Sequence, residues 1–173
     1  MDNYATHVPV LVAAIELSPQ LTGRILELGC GNYSTMLLHN IAHYRGYDLL
    51  TFDNNGTWMK QFMGVASDRH RLKLIDDWAA VAEIDEPCDV AFADHGPASR
   101  RNTDIERLAE NAGIVVVHDT EPGRGPGRLE ESVKPFYKYH YTCRRWKAWT
   151  SVCSNTIDVT VIGDLMENEN WPE

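Results

Sequence analysis

The sequence predicts an α/β domain built on a doubly wound, mostly parallel sheet, with antiparallel strands at its C-terminal end. Three observations predict it. Five short apolar runs recur along the chain up to His118, helix-period stretches separate them, and the first run ends in a Gly-x-Gly turn. Runs that are apolar almost throughout suit strands buried on both faces, and strand–helix alternation with short connections makes such a sheet parallel.

The elements follow in order. Val8, Leu11, Val12 and Ile15 mark a helix in an N-terminal helical segment over 1–20. RILEL (24–28) is the first strand, and Met36, Leu37, Ile41 and Tyr44 mark the helix after it. YDLLTF (47–52) is the second strand, followed by a helix through Trp58, Met59, Phe62, Met63 and Ala66. RLKLI (71–75) and DVAFA (89–93) come next, then a helix carrying Ile105, Leu108, Ala109 and Ala112 that Ser99 caps, then GIVVVH (113–118). Beyond Asp119 the pattern changes. A Gly/Pro-rich stretch, TEPGRGPG, reads as a lid over 122–127 and leads to a helix over 128–137. KYHYTCRRW, AWTSVCS and DVTVIG read as two or three antiparallel strands, and the acidic end, 164–173, as a frayed tail.

At 173 residues, with 43% hydrophobic and 24% charged residues, the chain suits one soluble domain over 1–173. VPVLVAAIEL is broken by Pro9 and Glu16 and follows Asp2 rather than a basic segment, so it reads as neither a signal peptide nor a membrane span. Cys30, Cys88, Cys143 and Cys153 are scattered, as free thiols of a cytoplasmic protein would be. A net charge of −9 argues against a nucleic-acid partner. The balance is uneven: Arg124, Arg128, Lys134, Lys138, Arg144, Arg145 and Lys147 face only Glu130 and Glu131 in that stretch. Such a run is a solvated face or a docking place for an anionic small molecule. A homo-oligomer is left open.

In open α/β sheets ligands bind beyond the carboxyl ends of the strands, so the residues after each strand carry the functional argument. The first strand ends in ILELGCGNYST, residues 25–35. Gly29 and Gly31 let the backbone approach a ligand, and the helix beginning near Ser34 points its positive end at any negative group. A dinucleotide asks for glycine at 34 and an apolar residue at 27; Ser34 and Glu27 oppose an NAD-linked oxidoreductase. Asp53, ending the second strand beside Asn54, suits ribose hydroxyls or a turn. The fourth and fifth strands finish in polar pairs, Asp94–His95 and His118–Asp119. Two carboxylates with Thr120 and Glu121 nearby suit Mg²⁺; alternatively His95 or His118 is a general base without metal.

The acid-x-Gly-x-Gly pattern of Glu27, Gly29 and Gly31 resembles the first motif of class I S-adenosylmethionine-dependent methyltransferases, departing from it at Tyr33, where that motif has a third glycine. The resemblance runs in order over roughly 20–121 and is nearest in style to small-molecule O-methyltransferases. It implies S-adenosylmethionine (SAM) as cofactor, with Glu27 receiving the ammonium group, Gly29, Cys30, Gly31, Tyr33 and Ser34 forming the turn, and Asp53 and Asn54 holding the ribose. It further implies that Asp76 or Asp77 receives the adenine amino group beside Trp78, and that Asp94 contacts the cofactor. Asp94, Asp119 and Thr120 would hold Mg²⁺, with Asp94, His95 and His118 as the catalytic set. The acceptor would be a small molecule methylated on oxygen. The other reading is a non-catalytic SAM- or nucleotide-binding subunit of the same fold. The chain lacks the Asn/Asp-Pro-Pro-aromatic and Pro-Cys signatures of nucleic-acid methylating enzymes, which makes such a substrate the weaker variant, and the local basic run leaves tRNA or a nucleotide-sugar open.

Overall fold

The computed structural model describes residues 4–122 and 134–168. Seven strands form one sheet: β1 (Arg24–Leu28), β2 (Asp48–Asp53), β3 (His70–Leu74), β4 (Cys88–Ala93), β5 (Ala112–His118), β6 (Tyr139–Cys143) and β7 (Thr150–Ser154), in the order β3-β2-β1-β4-β5-β7-β6. The first five run parallel, and β7 is antiparallel to both its neighbours, β5 and β6. Strand order reverses between β1 and β4, which pair directly, Leu28 opposite Ala93. Crevices at such a reversal are where ligands settle.

The apolar runs bury both faces. Ile25, Leu49, Val90 and Phe92 pack under the helices α1 (Val8–Leu17), α2 (Ser34–Arg45) and α5 (Val161–Asn168). Leu26, Leu28, Phe52, Ala91 and Val115 pack on the opposite face, against Ile105 and Leu108 of α4 (Ala98–Leu108) and the turns holding Trp78 and Ile84. Alternation along β1 therefore puts Glu27 on the α2 face, beside Ile25. Pro9, its missing N–H harmless in a first turn, starts α1, which buries Val10, Leu11, Ala14 and Ile15. Gly46, at φ 76°, closes α2 with its N–H on the Ala42 carbonyl.

Several expectations need correction. The helix sought through Trp58–Ala66 is one turn, α3 (Gly56–Met59), capped by Asn55, followed by a 3₁₀ turn at Met63–Val65. Ser99 lies inside α4 rather than capping it, and Ala112 opens β5. DVTVIG is a turn leading into α5, and residues 164–168 belong to that helix, with Ile162 and Met166 in the core. Among the described part of 128–137, Lys134–Phe136 forms a 3₁₀ turn; the lid at 123–127, Arg124, Arg128 and the end of the tail lie outside the described residues. No helix among the described residues is long and apolar enough to cross a membrane.

Candidate active site

The carboxyl ends of β1, β4 and β5 open onto a cavity of about 580 Å³. Cys30, Gly31, Asn32, Tyr33 and Ser34 form one wall, with Trp58 at its corner, and Asp94, Arg101, His118 and Asp119 form the opposite one. Tyr4 and His7, from the segment entering α1, close it from a third side.

The glycine turn is held from below. Gly29 sits at φ 90°, its N–H on the Phe52 carbonyl (2.8 Å). Asp53 Oδ2 accepts from the Cys30 N–H (2.9 Å), and Asp53 Oδ1 accepts from the Asn55 N–H (2.7 Å). Trp58 Nε1 donates to the Cys30 carbonyl (2.6 Å). Glu27 lies beneath this turn, completely buried, and its two oxygens accept from Thr35 Oγ1 (3.0 Å) and Thr51 Oγ1 (2.7 Å). Thr35 Oγ1 in turn accepts from the Gly31 N–H (2.8 Å). The acid thus knots β1, β2 and the start of α2 together, and it does not line the cavity. Since Thr51 spends its one proton on Glu27, His70 Nε2 donates to Thr51 (2.9 Å), leaving His70 Nδ1 to accept from His39 Nδ1 (3.2 Å).

Burial pushes the Glu27 carboxyl up to about 7, with Thr51, Ser34 and Thr35 offsetting part of the rise. A raised carboxyl pKa means the folded protein binds the proton more tightly than the unfolded chain, so this group costs stability as pH rises from about 4.5 to 7. His70, held down to about 4 by burial and then by His39, acts in the opposite sense over most of that window, up to about 6.5. Glu27→Gln therefore isolates the first effect. Its stability relative to the unsubstituted protein is expected to rise between pH 5 and 8 by on the order of 3 kcal/mol, measured by urea unfolding at each pH.

Asp94 and His118 face each other across the ends of β4 and β5, His118 Nδ1 3.2 Å from Asp94 Oδ2. His118 Nε2 is 3.0 Å from Thr6 Oγ1, whose proton goes to the Ala148 carbonyl (2.8 Å). Both contacts of His118 therefore need a proton from the ring, and the hydrogen-bond pattern makes it an imidazolium paired with the Asp94 carboxylate. Arg101, almost fully buried, donates to the carbonyls of His95 (2.9 Å) and His118 (2.8 Å) and lies 3.4 Å from Asp94 Oδ1. Burial alone would raise the Asp94 carboxyl; the bond and charge of His118, then Arg101, outweigh it and hold it below the usual range. Asp119 adopts φ 57°, uncommon for a residue with a side chain, and brings its Oδ1 within 3.9 Å of His118 Nδ1. Burial and the neighbouring Asp94 push its carboxyl up.

Several expected site residues are elsewhere. His95 points to the opposite face: its Nε2 is 3.0 Å from Asp104, and its ring packs on Trp78. Trp78 is core, donating from Nε1 to the Gly96 carbonyl (2.9 Å), and Asp77 caps the turn that Trp78 begins. Asp76 and Asp77 line a separate cavity beside Phe52 and Lys73. Asn54 is exposed, outside the first cavity's lining. Thr120 turns back to accept from Ser151 Oγ (3.0 Å), and Glu121 accepts from the Trp149 N–H (2.9 Å).

The Mg²⁺ set Asp94, Asp119 and Thr120 is therefore not assembled. Ligand atoms of Asp94, His118 and Asp119 do lie within 4.8 Å of one another, but His118 and Arg101 already supply cations to Asp94. This donor set does not fit a hard, oxygen-seeking ion. Nor do the described cations of the basic run reach the cavity: Arg144 lies over the Trp149 ring, Arg145 over Trp146 and Lys138 over Tyr139. Arg101 and His7 complete the walls, as their places in the sequence allow: two cations open α4, and the N-terminal segment carrying Tyr4 and His7 can reach over the strand ends. Cations at a helix start are unfavourable unless acids stand near; those acids are Asp94 and Asp104.

Strand order, a single antiparallel strand beside β5, and a glycine turn at the β1 edge of the crevice define the fold of the class I SAM-dependent methyltransferases, which this chain has. Three solved structures share that fold. A spermidine synthase from Thermotoga maritima matches with TM-score 0.58 at 12% identity, over 97% of this chain but 64% of its own, so the chain spans less than two thirds of that protein. The N-terminal domain of EvdMO1, in the presence of S-adenosylhomocysteine (SAH) and D-fucose, matches with TM-score 0.57 at 13% identity, over 89% of this chain and 83% of its own. DhpI in complex with SAH matches with TM-score 0.54 at 16% identity, over 88% and 89%. No family model matches the sequence, and no curated protein does.

Proposed function

We propose that the protein transfers the methyl group of SAM to an oxygen of a small-molecule acceptor, without a metal. One observation carries the reading: the cavity runs from the glycine turn to the Asp94–His118 pair, so a cofactor on the first wall presents its methyl toward the second. Cys30, Gly31, Tyr33 and Ser34 would contact the cofactor, on a turn that Asp53 holds in place. Asp94 and His118 would orient the acceptor. Most of the rate would come from alignment, an oxygen held in line with the sulfonium carbon. A neighbour of this fold described with SAH and D-fucose supports a small hydroxylated acceptor.

The test is calorimetric titration of the purified protein with SAM. Micromolar binding is expected, weakened about tenfold by Asp53→Ala, which frees the Cys30 N–H, the equivalent of about 1.4 kcal/mol. Absence of binding by the unsubstituted protein would sink the reading.

A further inference from the structure

His7 is the N-cap residue of α1, and its ring is 3% exposed, pressed on Phe92 (centroids 4.8 Å apart) and edge-on to His118 (4.7 Å). It lines the cavity, yet among the described residues neither Nδ1 nor Nε2 has a hydrogen-bond partner. A buried imidazole with no partner is unfavourable for folding, and an apolar ring would fill the same space without that cost. The second observation is the neighbouring His118, which already carries a proton on each nitrogen and so cannot take another.

We infer that His7 is the proton acceptor of this site, a bare imidazole kept for the O–H of the methyl acceptor. The inference rests on the methyltransferase reading above. The acceptor oxygen bonds to the methyl carbon while the carbon–sulfur pair returns to sulfur, giving SAH. The oxygen's proton, made acidic as the new bond forms, passes to the free nitrogen of His7. Cofactor and base exchange charge in this step: the sulfonium loses its positive charge as the imidazolium gains one, so the total in the cavity does not change. Burial and then His118 hold the His7 ring down to about 4, which keeps it unprotonated before transfer. Such a weak base suffices, because the proton leaves an oxygen that is turning into an oxonium. The position of His7 over β4 and β5, across from the glycine turn, leaves the cofactor its own wall.

The experiment is ¹⁵N-edited NMR of the imidazole rings at neutral pH, on the full chain and on His7→Phe, with and without saturating SAH. The signals missing from His7→Phe identify His7. They are expected to show one protonated and one bare nitrogen, with His118 protonated on both. SAH should shift the amides of the Cys30–Ser34 turn and leave the bare nitrogen of His7 bare. His7→Phe should melt higher, by about 2–4 °C, as an unpartnered polar ring is replaced. An imidazolium at His7, a neutral ring at His118, SAH bonding to the bare nitrogen, or a lower melting temperature for His7→Phe would each overturn the assignment. If SAH leaves every signal unchanged, the methyltransferase reading itself falls and the base role with it, a failure distinct from wrong ring states.

Discussion

Gly29→Ala is expected to destabilise the protein by about 2–5 kcal/mol and to abolish SAM binding. At φ 90° an alanine is strained by about 1–2 kcal/mol. Its Cβ would stand 2.8 Å from the Cα and N of His95 and 2.9 Å from the Asp94 carbonyl carbon, all backbone atoms of the β4 end. Overpacking of that kind adds roughly 1–3 kcal/mol. The contact cannot relax by a rotamer change, since Asp94 N–H is bound to the Leu28 carbonyl (2.8 Å) and Gly29 N–H to Phe52. Urea unfolding with a parallel SAM titration measures both effects. A loss below about 0.5 kcal/mol would mean that β1 and β4 do not approach as described.

Asp104→Ala is expected to cost about 3–5 kcal/mol, the range for removing one partner of a buried ion pair. Asp104 is completely buried in α4, and its Oδ2 accepts from His95 Nε2 (3.0 Å) and Arg100 Nε (2.9 Å). Its Oδ1 accepts from Arg100 Nη2 (2.7 Å) and Arg107 Nη1 (3.1 Å). Burial alone would raise this carboxyl; the bonds from His95 and Arg100 outweigh it and hold it below the usual range. The stabilisation is therefore present above the unfolded carboxylate range and is lost as pH falls through the lower folded value. Arg107 also ties α4 to the turns after β3, through the Trp78 and Val81 carbonyls and through Asp85. Asp85→Ala, at the exposed end of the same arginine, should cost no more than about 1 kcal/mol. Thermal and urea unfolding of the two variants side by side tests the contrast; equal losses would show that Asp104 is not the buried hub.

The strands were legible because burial on both faces leaves little room for polar residues, and the runs from RILEL to GIVVVH say so directly. DVTVIG alternates as a strand does, but local bonds decide otherwise. Ser154 Oγ accepts from the N–H groups of Thr156 and Ile157, and Asp158 Oδ1 accepts from the Thr160 N–H and Oγ1, turning the chain into α5. The site was half legible for a similar reason. Neighbouring residues in a strand face opposite ways, so Asp94 enters the cavity while His95 leaves it for Asp104 and Trp78. Asp119 escapes that rule through its positive φ and joins His118. His7 is not at a strand end; it comes from the segment entering α1, which the sequence places where it can reach over the same face.

Helix α1 rests on β4, β5, β7 and α5, surfaces that stand far from it in the chain. A growing polypeptide therefore carries this helix, with Val10, Leu11, Ala14 and Ile15 uncovered, until nearly the whole sheet has been laid down. Long-range closures of this sort are slow to form. The cavity that His7 helps to close is thereby tied to contacts between segments far apart in sequence.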